Sequence, residues 1–383
     1  MKYMGSKRAM LKNGLGTLLT QEAQLASRVV DLFSGSASVS WFAATQFDIP
    51  VEAYDLQSYA AVMAESVIGR VKPVSAEDID QIWIDRSKSS LIKMNGWKES
   101  FDLEKKEKKI SSLKNKAEKL CGSGVEAKSS IIFNRYGGHY FSPKQALTFD
   151  ALLRNLPEDE NLRSVCLASA IIAASQCSAS PGHTAQPFKA TETAAPFLQE
   201  AWSRDPFFYV VQAVKKIAPL HAKKIGKSHV EDSNTVARNL MESDLVFVDP
   251  PYSGVHYSRF YHVLETIARG WCGEVNGVGR YPPPEERPNS DYSKRGTSLA
   301  AMEDLLKSLS DRGCTVILTF PKGECSNGLS GEELEELAAD FFNVSKRVVK
   351  TRFSTLGGND INRSARKITD ELILVLRKQG RKL

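Results

Sequence analysis

Cysteine is scarce in this chain and poorly placed for metal or redox work. The six cysteines (Cys121, Cys166, Cys177, Cys272, Cys314, Cys325) form no C-x-x-C pair. That argues against a zinc site and a disulfide framework and suits a reducing cytoplasm. No apolar run reaches the ~18 residues that a membrane span needs. Met1-Lys2-Tyr3-Met4-Gly5 lacks the apolar core of a signal peptide. There is no internal repeat and no low-complexity tail. What remains is a soluble globular chain of 383 residues, 42% hydrophobic, enough for one large domain or two medium ones.

Charge is modest in sum and uneven in place. The net charge is +6, yet residues 85–128 hold 12 Lys and Arg against 7 Asp and Glu, and residues 343–383 hold 11 against 3. Two basic segments on a mildly acidic body suggest a polyanion partner. Two solvated surface stretches are the alternative.

The most informative stretch is Leu245-Val246-Phe247-Val248-Asp249-Pro250-Pro251-Tyr252. Four apolar residues in a row predict a strand buried on both faces. The prolines cannot donate to a ladder, so the strand must stop there. Asp249 and Tyr252 are then held in a stiff loop at the carboxyl end of a strand, where open α/β sheets bind ligands. Asp249 and the Pro250 carbonyl are acceptors, and Tyr252 offers a flat ring. Together they suit a planar group with an amino donor. A tight turn after a core strand is the plain alternative.

Other segments repeat the strand-then-helix rhythm. Val29-Val30-Asp31-Leu32-Phe33 predicts a first strand, Ser34-Gly35-Ser36-Ala37-Ser38 a small-residue turn, and 39–47 a helix. Val51-Glu52-Ala53-Tyr54-Asp55 predicts a second strand. Asp55 lies roughly 20 residues after Gly35, the spacing of a carboxylate that grips ribose hydroxyls. It also precedes a helical stretch and suits an N-cap. Ser6-Lys7 opens a helix expected over 8–24, where free amides and a lysine can hold an anion. Residues 73–223 break the rhythm. A Lys/Glu-rich helix is expected over 102–120, a core helix over 162–176, and an aromatic-basic loop over 178–189. Strand 224–232 ends at Asp232, which can accept from a ligand amino group or cap the next helix. A helix over 258–269 and a long mobile loop over 270–288 follow. Further expected elements are a helix over 300–312, a strand over 315–320, a helix over 332–342, and two strands over 344–353 and 371–377. The basic, glycine-rich tip 357–367 joins these last two as a hairpin.

Asp249-Pro250-Pro251-Tyr252 resembles the DPPY motif of the amino-group DNA methyltransferases, in the form typical of the adenine enzymes. The order of the other motifs is similar to that of the alpha-type N6-adenine DNA methyltransferases. Tyr3 and Lys7 match their aromatic-x-Gly-x-Lys element, Phe33-x-Gly35 matches most of F-x-G-x-G, and Ala37 departs from it. The resemblance implies an α/β, Rossmann-like sheet that binds S-adenosylmethionine (AdoMet) and ends in an antiparallel hairpin, with an inserted, mainly helical recognition domain. It implies a catalytic domain over 1–72 and 224–383 and a target-recognition domain over 73–223. It assigns Asp249, Pro250, Pro251 and Tyr252 to catalysis. Tyr3, Lys7, Asp31, Phe33, Ser34, Gly35, Ser36, Asp55, Asp232 and Asp249 are assigned to AdoMet, and no metal is required.

The implied reaction is methyl transfer to the adenine amino nitrogen in double-stranded DNA. Acceptors at Asp249 and Pro250 hold the amino hydrogens, and the flipped base stacks on Tyr252. A cognate restriction endonuclease is a possible partner, in the cytoplasm of a prokaryote or phage host. Cytosine amino methylation, RNA adenine methylation and an inactive DNA-binding module are the competing readings. An acid where the cytosine enzymes usually carry Ser favours adenine.

Overall fold

The computed structural model describes residues 5–123, 130–353 and 367–379. They form two compact units. One comprises the described parts of Met4–Lys72, His221–Tyr257 and Pro288–Leu383; the other comprises those of Pro73–Leu220 and Ser258–Arg287. The boundary departs from expectation at one place, because Ser258–Arg287 folds with the helical unit. The hairpin tip expected over 357–367 lies outside the described residues except for Lys367.

The first unit carries one seven-stranded sheet: β1 (Arg28–Asp31), β2 (Val51–Asp55), β3 (Lys227–Val230), β4 (Asp244–Val248), β5 (Thr315–Pro321), β6 (Phe342–Phe353) and β7 (Lys367–Lys378). The spatial order is β3-β2-β1-β4-β5-β7-β6. The first five strands pair in parallel, and β7 runs antiparallel to both β5 and β6. This is the Rossmann-like architecture with an antiparallel end. All five β4 residues are buried, while edge strand β3 has none buried. The run Leu245–Val248 is therefore apolar without alternation because both of its faces are covered.

Packing follows the two periodicities. Val30 and Leu32, Val246 and Val248, Val316 and Leu318, and Leu372, Leu374 and Leu376 put alternate residues into one core. Met302, Leu305, Leu306 and Leu309 of helix Ser298–Asp311 meet them at helical spacing. Helix Gly331–Ala339 adds Leu334 and ends sooner than expected, because Phe342 joins β6. The helix expected over 8–24 breaks at Asn13 and Gly14, where Gly14 takes φ 107°. An added Cβ at Gly14 would meet Arg347 Nη1 at 2.8 Å.

In the helical unit, Glu160–Cys177 and Pro206–Ile217 pack together, and Trp83 Nε1 donates to Leu152 O at 2.9 Å. Asp150 accepts from the amides of Ile132 and Phe133, both at 2.9 Å, and so caps helix Ile131–Tyr136 from a distant element. The Lys/Glu-rich helix is two helices, Trp97–Lys106 and Ile110–Cys121, separated by extended backbone at Glu107 and Lys109. Its solvated reading fails at Lys114, which is buried and donates to Gly138 O at 2.9 Å and to Glu118 at 2.7 Å. The helix expected over 258–269 is interrupted at Tyr261, giving Tyr257–Phe260 and His262–Arg269. The loop after it is pinned rather than loose. Asn276 and Tyr281 exchange two backbone hydrogen bonds of 2.9 and 3.0 Å, and Glu286 accepts from the Gly273 amide. Among the described residues no helix is long and apolar enough to cross a membrane.

The turn after β1 carries the clearest backbone strain. Gly35 has φ 45° and buried Ala37 has φ 57°, a left-handed conformation that alanine adopts at a cost. For Ala37→Gly, relief of about 1–2 kcal/mol of strain is offset by about 0.4–1 in unfolded-chain entropy and about 0.8 for the buried methyl, so stability should stay within about 0.5 kcal/mol. Ala37→Val adds a β-branch to the same conformation in a full site and should lose about 2 kcal/mol or more. Urea midpoints of the two variants check this, and a Val variant as stable as the parent would show that the turn relaxes freely.

Candidate active site

The site is built where β1, β2 and β4 end. Asp249 follows directly on β4, and Thr319 of neighbouring β5 donates to its Oδ1 at 2.9 Å. Lys7, in the turn before the first helix, reaches the same oxygen at 2.9 Å and also bonds Glu371 of β7. Lys7 is 4% exposed and Glu371 is as deeply buried. One buried ammonium thus serves two carboxylates, and the cluster keeps a net negative charge in a medium that screens poorly.

Burial pushes the Asp249 carboxyl up to about 6, against the pull of Lys7 and with the help of Glu371. Burial alone would lower the Lys7 ammonium, but Asp249 and then Glu371 together hold it above its ordinary range. Among the described residues, the hydrogen bonds to Asp249 all fall on Oδ1. With the side chain 17% exposed, Oδ2 is left as an acceptor for an incoming donor.

The loop itself is fixed by residues far along the chain. Buried Asn327 donates through Nδ2 to Pro251 O at 2.9 Å and to Tyr292 O at 3.0 Å, and its Oδ1 accepts from the Leu329 amide. Ser326 Oγ accepts from the Gly254 amide at 2.9 Å. Tyr252 meets Tyr257 edge to face at 6.3 Å. Gly5 lies against the Tyr252 ring with φ 72°, and a Cβ there would come within 2.8 Å of Tyr252 Oη. The glycine of the N-terminal motif is therefore demanded by both conformation and space.

At the ends of β1 and β2, Asp55 clamps the turn. Its Oδ2 accepts from the Gly35 amide and its Oδ1 from the Gln57 amide, each at 2.9 Å. Gln57, not Asp55, occupies the N-cap of helix Ser58–Ile68. Phe33 packs edge to face on Tyr292 at 5.1 Å. Ser36 and Ser6 both bond the Ser38 hydroxyl. Asp31 accepts from Ser40 at 2.6 Å through Oδ2, and burial pushes its carboxyl up to about 7.

Three buried polar atoms here, Asp31 Oδ1, Ser34 Oγ and Gln57 Oε1, have no hydrogen-bond partner among the described residues. Buried acceptors left this way are costly unless a ligand supplies donors. Such a set suits a molecule carrying hydroxyl and amino groups. Asp232 follows β3, which stops at Val230, and takes the capping role expected as one of its two readings: its Oδ1 accepts from the Asn234 and Thr235 amides at 3.1 Å at the start of helix Ser233–Ala237. Tyr3 lies outside the described residues. Pro250 is buried beside Asp249. Sequence reasoning missed Gly5, Thr319, Asn327 and Glu371. Only Gly5 left a signal, as the middle of the Tyr3–Lys7 motif.

A model of the D12 class of N6 adenine-specific DNA methyltransferases matches residues 3–278. The chain belongs to that family. Two modification methylases also match it. Modification methylase StsI of Streptococcus sanguinis is 28% identical over 118 residues, 31% of this chain. Modification methylase LlaI of Lactococcus lactis subsp. lactis is 33% identical over 111 residues, 27% of this chain. In each case the match spans 17% of the relative's length.

The D12 chain depends on Asn327 to present its DPPY loop. Asn327→Ala leaves one buried and one half-buried carbonyl without their donor and should cost about 2–6 kcal/mol in denaturant unfolding, at about 1–3 for each orphaned group. Asn327→Asp keeps the shape but loses both donations and buries a charge, so it should be no better. An unchanged unfolding midpoint in Asn327→Ala would remove Asn327 from this role.

Proposed function

We propose that the chain transfers a methyl group from AdoMet to the exocyclic amino nitrogen of adenine in double-stranded DNA, as a site-specific modification methylase. The observation that carries this reading is the geometry of Asp249. Its Oδ1 is anchored by Lys7 and Thr319, and its Oδ2 is left to accept. AdoMet, when bound, supplies the activated methyl group. Asp31, Ser34, Gly35, Asp55 and Gln57 are the residues that would hold it, and the orphaned atoms of Asp31, Ser34 and Gln57 fit a ligand rich in hydroxyl and amino donors. Asp55, accepting from two amides, fixes a carboxylate beside the Gly35 turn, a group whose chemistry suits ribose hydroxyls.

Asp249 and the Pro250 carbonyl take the amino hydrogens and so favour a nitrogen whose lone pair is localised. The preorganised acceptor does most of the work. Tyr252 stacks on the extruded base, returning about 1–3 kcal/mol against the few kcal/mol that flipping costs. The helical unit is read as the target-recognition domain. Pairing with a cognate restriction endonuclease belongs to the same reading.

Transfer of labelled methyl to duplex DNA, with analysis of the modified base, tests the reading; label on cytosine or only on RNA sinks it. Asp249→Ala should lose at least about 10²-fold in rate. Tyr252→Phe should lose little and Tyr252→Ala much more, and equal losses would give the hydroxyl a role.

The rate should also follow Asp249 ionisation. With Oδ1 held by Lys7 and Thr319, a proton added to Asp249 falls on Oδ2 and turns that acceptor into a donor; its pKa in the fold is raised to about 6, so activity is full above that pH and falls as pH drops through it. Glu371→Gln removes a negative charge that raises this pKa, so the acid limb should move to lower pH. Lys7→Met removes a positive charge that lowers it, so the limb should move up. A limb unmoved by both changes would mean that another group titrates.

A further inference from the structure

In the helical unit, two arginines meet one aromatic ring and make no ion pair among the described residues. Arg259, in helix Tyr257–Phe260, places its guanidinium carbon 4.7 Å from the centroid of the Tyr281 ring. Arg287, which follows the short turn Pro284–Glu286, places its own 5.6 Å from the same centroid. The ring is fixed in place. Tyr281 Oη donates to Ala185 O at 2.5 Å, and the Tyr281 backbone pairs with Asn276. The loop 178–189 is tied to the same spot, since Phe260 O accepts from the Thr184 amide at 2.6 Å and from its hydroxyl at 2.8 Å.

Neither guanidinium makes an ion pair among the described residues. Arg287 Nε is buried with no acceptor, and burial together with the Arg259 charge lowers the Arg287 pKa; Glu285 on the same turn opposes this only at a distance. The third neighbour, His262, lies 4.9 Å from the Tyr281 ring and is kept neutral by burial, so it supplies no negative charge. Some arginines of the unit do find acids, as Arg135 does with Glu274 at 2.7 Å.

Two guanidiniums held against one aromatic ring repel each other unless an anion joins them. Their forked donors match a phosphate better than any single point charge does. We infer that Arg259 and Arg287, braced on Tyr281, together bind one backbone phosphate of the DNA duplex. This inference rests on the proposed reading of the chain as a DNA enzyme and deepens it, because it assigns a backbone contact to residues that no motif marks. A phosphate contact positions the duplex and carries no sequence information.

The test is duplex binding by the full chain across a potassium chloride series, using an oligonucleotide that carries the mapped site. Arg259→Gln, Arg287→Gln and the double variant should each lower the magnitude of the log–log salt slope by about one, the value of one phosphate. The double variant should lose no more than either single change, since one phosphate is shared. KM for DNA should rise about tenfold at fixed salt, as for loss of a charged hydrogen bond, with kcat and AdoMet affinity unchanged. Arg287→Lys should restore the slope, because it keeps the charge.

A slope unchanged in the double variant overturns the site, and so does a Lys variant that behaves like Gln, which would mark a purely structural role. Arg259 is exposed, so its variant reports even if substitution at Arg287 disturbs the loop. Failure of the proposed function reads out separately. A chain that shows the slope change but methylates cytosine keeps this site and loses only the adenine assignment.

Discussion

The site depends on a single buried ammonium shared by two acids. Lys7 and Glu371 are 364 positions apart in sequence, and Asp249 sits between them in the chain. Each element of the sheet unit contributes to bringing these groups together. The parallel strands carry Asp249 to the end of β4, β5 supplies Thr319, and the reversed strand β7 returns Glu371 opposite Pro321. A lone buried lysine facing a lone aspartate would be a neutral pair. The second acid leaves Asp249 electron-rich while Lys7 still holds it in place. This arrangement suits a group that must accept a hydrogen bond from a weak donor without being neutralised by its own support.

The side proposed to hold the cofactor shows the same economy of parts. Asp55 grips the Gly35 turn by two backbone amides before any ligand arrives. The turn tolerates Ala37 where a glycine is usual because the methyl is buried and offsets part of the left-handed cost. The departure from F-x-G-x-G therefore leaves the backbone path intact, with φ positive at both Gly35 and Ala37.

How much of this was legible follows from how local each signal is. The strand at 245–248, the turn at 34–37 and the acids at 31, 55 and 249 lie inside short patterns of hydrophobicity and turn chemistry, so their placement at strand ends could be read directly. Lys7 was legible only as a motif member, and its partner Glu371 was not. In sequence Glu371 is an ordinary residue at the start of a strand, and only the crossing of β7 beside β5 gives it a role. Asn327 has no pattern at all, because its function is set by three backbone partners from different segments. Thr319, Asn327 and Glu371 also lie past the residues that the family model matches. The helix breaks at Asn13–Gly14, at Glu107–Lys109 and at Tyr261 were hidden because helical periodicity survives a one-turn interruption.

Charge composition is legible in sequence, whereas charge pairing is not. The segment 85–128 stands out by composition, yet Lys88, Lys106, Lys114 and Lys116 all pair with acids of the same segment. These pairs satisfy four of the segment's lysines locally and leave its excess of 12 cations over 7 acids in place. Arg259 and Arg287 stand 28 positions apart and would not register in any count of local charge. They matter because the fold places them on one ring without a carboxylate. A surplus of cations in sequence measures what a segment carries, whereas the binding of an anion depends on which cations the fold leaves unpaired.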